Sequence, residues 1–399
     1  MAAAFWDWVN LLLRWGHVML GIAWIGTSFH FIWLDASLRR EEGQSEGVAG
    51  GSWMVHGGGF YHARKYLVAP GSLPDELHWF KYEAYFTWVT GFLLLAVVYY
   101  LGAREFLIDP AVWALSPAAA IAISLASLAL GWICYDALCR SSISEKTGLL
   151  ASCVFTLALG AAYGYAQVFS GRAAFLHVGA LLGTIMAANV FFIIIPNQRK
   201  VVADLIAGRS PDPALGLAAK QRSLHNNYLT LPVVLMMLSN HYPMLYAGTD
   251  NWVYVGGVLV LGGLVRHYFN SKDSGLAAWW LHWLLPAAAV LTAILIVSTF
   301  DFSKHSAIAP DGSPVKLAQV EPIFQQRCQA CHSAHPSDAG YKAPPKGMAF
   351  DSPEELRRYA PQIYRMAVLT RAMPLGNKTG MQDEERDLIG RWIDGGAGD

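Results

Sequence analysis

Apolar residues run almost without interruption through the first three hundred positions of the chain, broken at intervals by short polar or basic stretches. A helix needs about 20 apolar residues to cross the hydrocarbon core of a bilayer. Runs of that kind fall at 6–34, 80–101, 112–134, 148–169, 173–195, 226–242, 251–270 and 278–300, which predicts eight membrane-spanning helices over residues 1–300. The sixth is the least regular, with Asn226 and Asn227 at its start and Pro232 inside it. No cleavable leader is expected, because the N-terminus lacks a basic stretch and its first apolar run continues as a span. Further on the pattern changes. Val320, Ile323 and Phe324 mark one face of a helix, and Leu388, Ile389, Trp392 and Ile393 mark a face of another, with loop between them. Residues 301–317, with Lys304, His305, Pro310, Gly312 and Pro314, read as a linker. The expected fold is all-α: a polytopic membrane bundle (1–300), a linker (301–317) and a small helical domain (318–399).

Composition agrees, with 54% of residues apolar and only 15% charged. Basic and acidic residues balance at 29 each, so no nucleic-acid partner is expected. The bilayer is the expected partner instead. Basic residues favour the cytoplasmic side of a membrane. One set of alternate connections holds Arg39, Arg40, Arg64, Lys65, Arg140, Lys146, Arg199, Lys200, Arg209, Lys220, Arg222 and Lys272; the other holds only Arg104 and Arg172. Both termini should then lie outside the cytoplasm.

Cys328-Gln329-Ala330-Cys331-His332 adds chemistry. Two thiols at this spacing can bond the two vinyl groups of one haem, and the adjoining His332 then lies beneath the iron as axial ligand. A zinc reading uses Cys328, Cys331, His332 and His335, but these are crowded for a tetrahedral site, whose second ligand pair usually comes from further along. Met373, held extended by Pro374, is the expected second axial ligand, with Met348, Met366 and Met381 as competitors. Together with the Glu384 to Ile393 helix, these features resemble a class I cytochrome c domain over 318–399. Attachment of c-type haem occurs outside the cytoplasm in bacteria, in agreement with the charge count. The expected location is the bacterial inner membrane, with the N-terminus and the haem domain periplasmic.

Ionisable side chains inside spans are functional candidates. Arg14, His17, His30, Asp35, His177, His225, His267 and His282 are of this kind, whereas Cys134, Cys139 and Cys153 read as buried small hydrophobes. Two histidines from different helices could also hold a non-covalent haem b, against the alternative that each satisfies a neighbouring helix. The connection 36–79 combines a flexible start, Glu41 to Gly47, with the aromatic and basic stretch Trp53 to Tyr66. Its triple glycine follows no clear strand and makes no phosphate cradle.

Trp15-Gly16-His17 through Trp24-Ile25-Gly26 to His30, Val55-His56-Gly57-Gly58-Gly59-Phe60-Tyr61 and the C-x-x-C-H tail resemble the bacterial membrane-bound urate oxidases, or urate hydroxylases. The resemblance covers essentially the whole chain. It implies oxidation of urate to 5-hydroxyisourate, with electrons leaving through haem c to a downstream cytochrome c or terminal oxidase. It assigns no catalytic residue. A planar, anionic purine calls for a cation or amides, an aromatic wall and a base. Arg14, His17, Trp24, His177 and Asn189 are one candidate set, in the outer half; Lys65, Tyr66, Lys81, Glu83, His30 and His282 are another, toward the cytoplasm. Two other readings remain open: a quinol:cytochrome c oxidoreductase module and a membrane-anchored electron carrier.

Overall fold

The computed structural model describes residues 2–40, 42–43, 46–246, 248, 250–299, 314–338 and 340–398. Most of the expected linker, 301–313, lies outside the described residues, as do Glu41, Gln44 and Ser45 of the segment expected to be flexible.

The chain is mostly helical. Helix α1 (Ala2–Ser37) leads into a hairpin, β1 (Val48–His56) and β2 (Gly59–Tyr66). It is followed by α2 (Tyr82–Leu95), α3 (Pro117–Arg140), α4 (Thr147–Ala166), α5 (Gly171–Ala188), α6 (Ile195–Ile206), α7 (Pro213–Leu238), α8 (Asn251–Asp273) and α9 (Leu281–Ser298). A C-terminal unit adds α10 (Leu317–Arg327), α11 (Pro353–Ile363) and α12 (Asp383–Asp394).

Among the described residues, seven helices are long and apolar enough to cross a membrane, which marks a multi-pass membrane protein. They are Phe5–Ser37, Tyr82–Tyr100, Pro117–Arg140, Thr147–Ala166, Gly171–Ile206, Asn251–Asp273 and Leu281–Ser298. The expected sixth run falls on α7 and is absent from this set, because Lys220, Arg222, Asn226 and Asn227 dilute its apolar stretch. The ends of α7 nonetheless sit at opposite ends of the bundle. Gln221 bonds the Ser144 carbonyl in the α3–α4 connection, while Asn240, just past the C-terminus, meets Tyr99 and Arg172. The end carrying Tyr99, Arg172, Asn240 and the C-terminal unit is called the near side below, and the end carrying the hairpin the far side. Helix α5 forms the middle of the bundle, with Phe175, Val178, Leu181, Leu182 and Ile185 almost fully buried.

The all-helical expectation fails at residues 48–66, which form the antiparallel hairpin. Gly57 and Gly58 both take positive φ, 59° and 78°, the backbone of a two-residue turn that matches the twist of paired strands. Trp53 pairs with His62 across the ladder, and the two rings stack at 4.2 Å. Lys65 on β2 reaches Asp35 at the end of α1, 2.8 Å away.

In the C-terminal unit the two faces read from the sequence meet. Phe324 and Trp392, both fully buried, pack edge to face at 5.9 Å, and Arg327 pairs with Glu385 at 3.0 Å. The stretch expected to be only loop contains α11, opened by a reciprocal cap between Ser352 and Glu355 and a proline in its first turn.

Candidate functional site

Where the C-terminal unit meets the near side of the bundle, a cavity of about 1210 Å³ opens between them. One wall carries Cys328, Cys331, His332 and Met373; the opposite wall carries Asp109, Gln167, Arg172, Asn240, Tyr246 and Asn251. Two contacts hold the walls in register. Lys378 lies 2.7 Å from Asp338 in its own unit and 3.5 Å from Glu105 of the bundle. Gly376, at φ 58°, packs against the carbonyl of Glu105.

Both cysteines are free thiols. They follow α10 on a tight turn, in which the His332 amide donates to the Cys328 carbonyl at 2.9 Å. Burial pushes the Cys328 thiol up to about 12, so at neutral pH it is un-ionised. Among the described residues no group of three His, Cys, Asp or Glu side chains could hold a metal ion, which removes the support for a zinc site.

His332 stacks on Phe350 at 4.7 Å and its Nδ1 lies 2.9 Å from the Met348 carbonyl. A carbonyl only accepts, so Nδ1 carries a proton and in the neutral ring the lone pair is on Nε2. That is the tautomer an axial ligand requires. The Met373 carbonyl accepts from the buried Arg386, 2.7 Å away, and its amide donates to the Met366 carbonyl at 2.9 Å. Met348, Met366 and Met381 also line the cavity, although Met381 is 2% exposed and belongs to the apolar core of the unit. Two thiols, a lone-pair imidazole nitrogen and a thioether on one cavity are the donors that a covalently attached haem would need.

The candidates in the bundle are dispersed. Arg14 donates to Asn10 at 2.6 Å, near the start of α1. His17 lies mid-bundle, its Nδ1 3.0 Å from the Thr87 carbonyl of α2. His177 is completely buried and both of its nitrogens are engaged. Nδ1 donates to the Ala173 carbonyl at 2.7 Å, so Nε2 accepts from Ser124 at 2.8 Å and Ser124 accepts from Tyr100 at 2.9 Å. His30 and His282 lie on exposed faces. The outer set expected from the sequence is therefore split. Trp24 packs with Ala84 and Val190 toward the far side, and Asn189 lies there too.

Asn189 belongs to a buried network that the sequence did not reveal. Its Nδ2 donates to Tyr135 at 3.1 Å and to Asn226 at 3.0 Å, while its Oδ1 accepts from Arg222 at 3.2 Å. Arg222 also pairs with Asp136 at 2.7 Å, and Tyr135 contacts His225 at 2.7 Å. Arg266 is held by Asn227 and Asn270, with Phe29 stacked 4.0 Å from its guanidinium. Only i, i+4 spacing around Arg222 and Asn226 hinted at a shared helix face; the partners on α3 and α5 are distant in sequence.

The model of the urate oxidase N-terminal family matches residues 3–299, about three quarters of the chain. No curated protein and no solved structure matches it. The match spans the whole helical bundle with its hairpin and stops short of the C-terminal unit, and on that extent the chain belongs to the urate oxidase N-terminal family.

Proposed function

We infer that the protein is a membrane-bound urate oxidase that passes electrons from urate to a c-type haem on its C-terminal unit. Family membership makes it an oxidoreductase with a role in urate oxidation. The observation that carries the rest is the shared cavity, which Cys328, Cys331, His332 and Met373 line together with residues of the family domain. The C-terminal unit is on this reading a cytochrome c domain, with Cys328 and Cys331 as attachment points and His332 and Met373 as axial ligands. Haem held in this way supplies one-electron acceptance at a raised potential.

The reaction balances with water as the oxygen source. Urate and one water give 5-hydroxyisourate, two protons and two electrons; a C5–O bond forms and an O–H and an N–H bond break. The electrons leave singly to an external one-electron carrier, a cytochrome c or terminal oxidase. In this chain Arg386 holds the Met373 carbonyl, Met348 sets the His332 tautomer, and Lys378 docks the unit on Glu105. The reading needs no second haem in the bundle.

Helix α7 completes eight crossings, because its ends lie on opposite sides of the bundle. The near side then carries both termini and the far side the basic connections, so the near side is periplasmic by the charge rule.

Anaerobic addition of urate to the purified holoprotein tests the function. The reduced c-haem absorption band should appear with urate alone; a band that appears only with a quinol would favour the quinol oxidoreductase reading instead. Docking is tested at Gly376. A methyl at this position would sit 2.5 Å from the Glu105 carbonyl oxygen, and the left-handed backbone adds roughly 1 kcal/mol for a residue with a side chain. Gly376→Ala should slow reduction by urate at least tenfold while leaving reduction by dithionite unchanged. Equal slowing of both would place the defect in the haem site and not in docking.

A further inference from the structure

The geometry points to Arg172, backed by Asn240, as the seat of the urate anion, in the same cavity as the haem ligands, at the near-side end of the bundle and not in its interior. This rests on the urate oxidase reading and gives it a location.

A urate site needs a cation that no protein carboxylate already neutralises. Arg222 fails, because Asp136 pairs with it. Arg266 is enclosed by Asn227, Asn270 and the Phe29 ring. Arg172 meets the requirement. Its Nε donates to Asn240 at 3.0 Å and its guanidinium lies over the Phe106 ring at 5.1 Å. Among the described residues it has no carboxylate within ion-pair distance.

Three of the four carboxylates that line the cavity are otherwise engaged. Glu105 is shared with Lys378, Asp383 with Arg371, and Asp109 accepts from the Ala111 amide at 2.9 Å. The Oδ1 of Asn240 accepts from both Arg172 and Tyr99. This arrangement fixes the amide and orients the guanidinium. Gln167 and Asn251 line the same wall and offer further amides of the kind a planar, hydrogen-bond-rich purine takes.

Size and electron flow agree with this placement. Pockets for single drug-sized ligands span about 300–1,000 Å³, and this cavity, at about 1210 Å³, exceeds that range. A purine and a haem could therefore share it. Electrons released at Arg172 would cross one shared space. From Arg266, 15 positions into α8, they would cross roughly 20 Å of helix before reaching the near side.

Equilibrium dialysis of radiolabelled urate against the full-length holoprotein tests the seat, alongside anaerobic urate-driven haem reduction. Arg172→Gln should weaken urate binding at least tenfold, and Arg172→Lys should restore much of it. Asn240→Asp is the second variant. It is isosteric, accepts the same two hydrogen bonds and places a carboxylate on Arg172, so it should lose urate affinity while haem content and dithionite reduction stay at the parent level. Parent-like binding in either Arg172→Gln or Asn240→Asp, with the parent still reduced by urate, would overturn the seat and leave the function standing. A parent protein that neither binds urate nor is reduced by it would overturn the function itself.

Discussion

Cys328→Ser combined with Cys331→Ser is expected to leave no haem on the polypeptide after denaturing electrophoresis, and urate-dependent reduction of an external one-electron acceptor should fall to background. The expectation follows from chemistry that only a thiol supplies. A serine hydroxyl does not make the thioether to a vinyl group, and the two thiols, with His332, occupy one tight turn after α10. Each single variant keeps one thiol and should keep part of the bound haem. The double variant should still bind urate, because Arg172 and Asn240 belong to the other wall of the cavity. Parent protein that carries no covalent haem would refute the cytochrome reading outright. Retained urate binding with lost electron transfer would separate the two walls functionally.

The second large effect concerns stability and lies on the far side of the bundle. Asp136 accepts from Arg222 at 2.7 Å and from Arg140 at 2.6 Å, but the two arginines are not equivalent. The Arg222 side chain is 3% exposed and that of Arg140 is 64% exposed. Removing one member of a buried pair strands the other charge, at a cost of about 3–5 kcal/mol. Asp136→Ala should accordingly lower the thermal midpoint in detergent by about 10 °C. Arg140→Ala breaks an exposed pair worth at most about 0.5 kcal/mol and should leave the midpoint nearly unchanged. Pairing Asp136→Ala with Arg222→Met removes both charges and should recover most of the loss. Equal effects of Asp136→Ala and Arg140→Ala would show that burial is not what makes this pair matter.

Several elements were legible from residue order alone because their cause is local. The apolar runs announce spans, since a bilayer tests each helix separately for length and hydropathy. The faces Val320-Ile323-Phe324 and Leu388-Ile389-Trp392 are periodic, and they pack against one another. The hairpin at 48–66 was missed although Gly57-Gly58 is a strong turn signal, because its strands are rich in glycine, histidine and basic residues. Helix α11 was missed for a related reason: it is short, and its apolar residues Leu356, Ala360 and Ile363 are few. Helix α7 shows the limit of hydropathy. Its Arg222 and Asn226 are satisfied by partners on other helices, so it lies across the bundle without being apolar enough to announce itself.

Residue order by itself determined the membrane-spanning character, the thiol pair with its adjoining histidine, and the family resemblance, since each depends on spacing within one segment. Which cations are free and which are neutralised was decided by tertiary structure alone. Arg14, Arg172, Arg222 and Arg266 look alike in the sequence, but Asp136 reaches Arg222 across 86 positions and Asn240 reaches Arg172 across 68. Electrostatic partnership falls off within a few ångströms and takes no account of separation along the chain. Only folding could bring an unneutralised guanidinium to the cavity that Cys328, Cys331 and His332 line.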